Sequence, residues 1–137
     1  MYYTTKLPNL VSRQFEDEII LANFQTGVYF SLMLSAADVW LGLDAGVGVD
    51  EIIAAFPAND GADPRQDVPG FVEKLLAEGA IAPLADIPDR RPWSPRFGIP
   101  FTAPSLDRFD DLRELLFIDP VHDVGEAGWP ARESDDV

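Results

Sequence analysis

Between Leu10 and Leu32 the apolar positions follow the two-residue period of strands. Leu10 to Phe15 (LVSRQF) alternates loosely between apolar and polar residues, which suits a strand with one solvated face. Glu16-Asp17 reads as a turn. Glu18 to Phe24 is rich in Ile, Leu and Phe, and Gln25-Thr26-Gly27 supplies a second turn. Val28 to Leu32 (VYFSL) is another strand, of β-branched and aromatic residues. Connections this short predict a three-stranded antiparallel meander.

The period then changes to that of helices. Ser35 is placed to cap a helix, with Asp38 three residues on as a capping-box partner, and Ala36, Val39, Trp40 and Leu43 form its apolar face. Trp40 is expected in the core, and Gly46 is expected to end the helix. Val49, Ile52, Ile53 and Phe56 recur at i, i+3, i+4 and i+7, a second helix stopped by Pro57. Pro57 to Asp67 is polar and reads as a loop. Val68, Val72, Leu75 and Leu76 mark a third helix with Pro69 in its first turn, and Ile81 to Leu84 a short strand or arm returning to the core. Residues 1–9 look like a lead-in. Stacking three one-faced helices on one side of a one-faced sheet buries every apolar face. The expected fold is therefore α+β and winged-helix-like.

Beyond residue 84 the pattern breaks. Six prolines between Pro83 and Pro104 exclude helix and predict an extended arm. Trp93, Phe97, Ile99 and Phe101 make a purely disordered spacer a poor description, so the arm is expected to pack on its own domain or on a neighbour. Leu106, Phe109, Leu112, Leu115 and Leu116 recur at helical spacing, which predicts a helix over 105–116. Gly128-Trp129-Pro130 resembles an aromatic anchor. The chain thus divides into a domain (1–84), a proline-rich arm (85–104) and a C-terminal helix and tail (105–137).

Composition narrows the function more than the fold. The net charge is −14, with 4 basic and 12 acidic residues in 1–84 and 6 and 12 in 85–137. Nucleic-acid affinity depends on Lys and Arg neutralising phosphates, so a DNA-reading regulator, the alternative that a winged-helix shape suggests, finds no basic stripe here. Anionic membranes are disfavoured for the same reason. The absence of cysteine excludes disulfides and thiolate chemistry within the chain. His122 is the one histidine, which argues against a metal site or a catalytic triad. There is no glycine-rich phosphate loop. No catalytic residue, metal or cofactor is expected. Residues 1–10 lack the apolar segment of a signal peptide, and no run approaches the roughly 20 apolar residues of a membrane span, so a cytoplasmic setting is expected.

The order EIILANFQ, TGVYFSL, LSAADVWLGLDAG, VDEIIAAF, DVPGFVEKLLAEGAI over residues 11–84 resembles the PqqD-like family, the peptide-recognition element of ribosomal peptide natural-product pathways. The Thr-Gly-x-Tyr-Phe-x-Leu strand followed by Ala-x-x-Val-Trp in a helix is the most specific part. The resemblance implies a non-catalytic adaptor that binds the leader of a precursor peptide and presents it to a modifying enzyme. In the family the leader adds as a strand to the sheet edge and lies against the third helix. Carried onto this chain, the edge is Gly27, Val28, Tyr29, Phe30, Ser31 and Leu32, and the facing helix offers Phe71, Lys74, Leu75 and Glu78. One of Tyr29 and Phe30 must be core, since neighbours in a strand face opposite ways. The extension has no counterpart in that pattern. Its surplus of large apolar groups, with Phe109, Leu112, Leu116 and Trp129 as contacts, is expected to dock a modifying enzyme, pack on its own domain or pair with a second copy.

Overall fold

A computed structural model describes residues 1–57, 59 and 61–109. In chain order these form β1 (Tyr3–Thr4), β2 (Leu10–Phe15), β3 (Glu18–Asn23), β4 (Val28–Met33), α1 (Ser35–Asp44), α2 (Val49–Ala55), α3 (Pro64–Ala77), β5 (Ala82–Pro83) and β6 (Asp107–Phe109). The architecture is α+β. The meander is present as expected: Ile19 pairs with Leu32 and Leu21 with Phe30, and on the other side Ser12 pairs with Leu21. Cross-strand partners share a face, so Ile19, Leu21, Val28, Phe30 and Leu32 line one side of the sheet, where all are buried. Trp40 and Leu43 of α1, Ile52 of α2, and Phe71 and Leu75 of α3 close that core. Burying side chains of this size contributes about 1.5–3 kcal/mol each.

Several expectations need correction. Among the described residues the sheet has four strands, in the order β2-β3-β4-β6, and the fourth comes from the segment that helical spacing had suggested to be a helix. Within the described part of that segment, 105–109, Asp107 to Phe109 is a strand because β4 offers it a ladder. Tertiary pairing of this kind overrides a periodicity read over one short window. Residues 1–9 are more than a lead-in. Tyr3 is buried, and β1 pairs with β5 in a second, two-stranded sheet. The third helix begins four residues earlier than the apolar pattern indicates. The Asp63 carboxylate accepts from the Arg65 N–H at 3.0 Å and Pro64 sits at the first helical position. That is a strong start signal inside a stretch that composition alone reads as loop. Pro69 consequently lies in the helix interior.

The anticipated capping box at α1 does not form. Leu34 occupies the cap position with φ 56° and ψ −129°, and no side chain caps the helix. Gly46 does end it, with φ +85°, a conformation that costs glycine nothing.

The proline-rich arm belongs to the same core. Phe101 is fully buried, its ring centroid 4.9 Å from that of Phe56, and Trp93 meets Phe56 edge-on at 6.4 Å. Phe97 and Leu106 pack on the same cluster. Covered by the arm on the side away from the sheet, α1 is buried nearly all round instead of on one face.

Candidate functional site

The site is built on β4. Its ladder on one side is complete, with β3. Its other edge, expected to be free, carries β6: Tyr29 pairs with Phe109, Phe30 with Arg108 and Ser31 with Asp107. The alternation of side chains assigns each contact to a face. Phe30 is core, and Tyr29 is the partner that looks outward. The Phe109 ring stacks on Tyr29 with centroids 5.0 Å apart and planes 20° from parallel. Ser31, also on the outer face, donates to the Glu18 carboxylate from across the β3 pairing. Arg108 lies on the helix side and its Nε is 3.6 Å from Oε1 of Glu78, just past the end of α3. β6 therefore runs in the angle between the β4 edge and the C-terminal end of α3.

Of the residues assigned to the facing helix, Glu78 stands at that angle. Lys74 is exposed and Glu78 contacts the strand. Phe71 and Leu75 are in the core, where they fix the helix against the sheet and offer no groove surface. The resemblance that suggested all four names the helix and does not distinguish its core stripe from its rim. Phe109, assigned to partner docking, is the Tyr29 stacking partner, and it retains 42% exposure. Leu112, Leu116 and Trp129 lie outside the described residues, as does His122.

What holds β6 in position is a clamp that the sequence pattern does not reveal. Asp38 is 1% exposed inside α1. Its carboxylate accepts from the backbone N–H groups of Arg96 and Phe97, both at 2.9 Å, and of Gly98 at 2.6 Å. A buried carboxylate is costly unless such donors satisfy it. Here the arm supplies them, and the indole N–H of Trp93 adds a bond to the Asp38 carbonyl. Ser35 donates to the Thr102 carbonyl, and the Asn59 amide donates to the Phe101 carbonyl at 2.6 Å. Gly98 passes so close that a Cβ there would lie 2.5 Å from the Ser35 backbone. The two polar residues that resemble a capping box, Ser35 and Asp38, are thus anchors for the arm. The available signal was an acidic residue between Ala37 and Val39 on an otherwise apolar helix.

A second polar cluster lies at the end of α1. The Asp44 carboxylate accepts from Thr5 at 2.6 Å and pairs with Lys6 and Arg91. Burial pushes its pKa up, but the hydrogen bonds from Thr5 and Arg91 and the charge and hydrogen bond of Lys6 outweigh this, and the net shift is downward. Arg91 also donates to the Asp44 carbonyl. These groups tie the N-terminus and the arm to the helix, which is a structural role. Among the described residues no cluster of His, Cys, Asp or Glu could hold a metal ion, and no helix is long and apolar enough to cross a membrane.

Residues 18–81 match the family described as coenzyme PQQ synthesis protein D (PqqD). This segment is similar to a PqqD domain. It spans β3 to the residue before β5, so it contains the β4 edge and α3, whereas the arm and β6 lie outside the match. The solved structure of TbiB1 in complex with the TbiA(beta) leader peptide is similar to this chain at 29% identity and a TM-score of 0.50, covering 58% of this chain and 96% of that one. The matched part thus spans nearly all of that neighbour but leaves about two fifths of this chain unmatched. No curated protein matches the chain.

Proposed function

We propose that this protein is a non-catalytic adaptor that binds the leader of a ribosomally made precursor peptide and presents it to a modifying enzyme. The observation that carries this reading is that a PqqD-like domain, similar to a chain solved with a leader peptide bound, has a β4 edge that accepts an added antiparallel strand. Backbone groups from Gly27 to Leu32 supply a ladder that any extended peptide can join, and side chains beside it supply selectivity. Tyr29 on the outer face, with Lys74 and Glu78 at the helix rim, are the selective contacts; Phe71 and Leu75 act by holding α3 in place. Residues beyond Phe109, with Leu112, Leu116 and Trp129, form the contact with the modifying enzyme. The setting is the cytoplasm, where ribosomal precursors are made.

The experiment is calorimetric titration with synthetic leaders of candidate ribosomal precursors from the same genome, together with mass spectrometry of the whole precursor. Saturable binding with an unchanged precursor mass, until a partner enzyme is added, supports the adaptor. No binding, or a mass shift produced by this chain alone, contradicts it.

A further inference from the structure

The β4 edge already holds a peptide strand, supplied by the chain itself. Among the described residues, β6 pairs with Tyr29, Phe30 and Ser31 of the six-residue β4. All three of its residues are exposed, so little apolar burial holds it there. It is held instead by the arm behind it, which is fastened to α1 through Asp38 and Ser35, with Leu106 packed immediately before the strand. A short tether of this kind gives an effective concentration on the order of millimolar, enough to fill an edge with a strand that would bind poorly when free.

We propose that Asp107–Phe109 is an internal competitor for the leader site, displaced register for register by a longer extended peptide. The incoming peptide presents a basic side chain opposite Phe30, facing Glu78 as Arg108 does, and an aromatic side chain opposite Tyr29, stacking as Phe109 does. This inference rests on the leader-binding reading and specifies both its ligand and its control.

The test uses the full chain and a variant, Arg108→Glu/Phe109→Asp, whose altered side chains are exposed; circular dichroism checks that the variant is folded. The probe is a labelled synthetic peptide of this chain's own residues 103–111 (APSLDRFDD). The released variant binds it at least roughly tenfold tighter than the unaltered chain does. Adding Glu78→Arg abolishes that binding, and a probe with the arginine changed to glutamate restores it. Equal binding to both forms, or none to either, overturns the proposal. The synthetic precursor leader separates the two readings. A leader that binds both forms equally overturns the internal competitor and leaves the leader reading standing. A leader that binds neither, while the self-peptide binds the variant, upholds strand exchange and overturns the leader reading.

Discussion

The Asp38 carboxylate accepts the Gly98 N–H at 2.6 Å across sixty residues of sequence, in the interior of the molecule. Through this contact the arm turns along α1 and arrives at β4 in the right register for β6. Hydrogen bonds to a charged group contribute about 1.5–3 kcal/mol, and removing the acceptor leaves three N–H groups without it, that of Gly98 buried and those of Arg96 and Phe97 partly so. Asp38→Ala is expected to lower stability by about 2–4 kcal/mol in urea denaturation, and to speed amide exchange from Trp93 to Phe109. A variant as stable as the parent, with unchanged exchange there, would show that the clamp is incidental.

Gly98→Ala tests the same junction by shape. The added Cβ would lie 2.5 Å from the Ser35 Cα and backbone nitrogen, which cannot yield as a flexible side chain can. Overpacking of this kind costs about 1–3 kcal/mol. The expected result is a lowered melting temperature, with β6 released before the β2-β3-β4 meander unfolds.

Leu34 turns the chain from β4 into α1 with a positive φ, and its side chain is 47% exposed. Little burial is therefore lost on truncation, whereas the backbone strain is relieved. Leu34→Gly is expected to raise stability by about 1 kcal/mol, measured by denaturant midpoint at constant slope. A loss of stability would mean that the leucine packs more strongly than its exposure implies.

Asp44 gives a pH dependence with a definite sign. Its carboxyl pKa is lowered in the folded protein. The unfolded chain therefore binds the proton more readily, and the stabilisation is fully present above the ordinary carboxylate range. It is lost as pH falls through the lowered folded-state value. Asp44→Asn is expected to cost about 1 kcal/mol at neutral pH and nothing once the parent is protonated. Parallel stability curves for the two proteins down to acid pH would contradict this.

The meander, the three helices and the buried Trp40 were legible in the sequence because each rests on a local period of two or 3.6 residues. The start of α3 was legible too, in Asp63-Pro64, but lay within a stretch whose composition reads as loop. What could not be read was everything set by contacts between distant segments. Asp38 looks like a capping partner until the arm is seen to donate to it. Phe109 fits a helical stripe until β4 offers it a ladder and Tyr29 a stacking face. Of the candidate site, the strand itself was legible; the division of α3 into a core stripe of Phe71 and Leu75 and a rim at Lys74 and Glu78 was not. That division depends on how the helix is rotated against the sheet.

The central claim is that a leader peptide takes the β4 edge in place of β6. Hydrogen exchange of the full chain, with and without a saturating synthetic leader that binds it in the calorimetric titration, tests this most directly. The account predicts that Val28 to Met33 stays protected or gains protection while residues 105–109 exchange faster. A leader that binds while 105–109 keeps its protection, with the change appearing elsewhere, would contradict it.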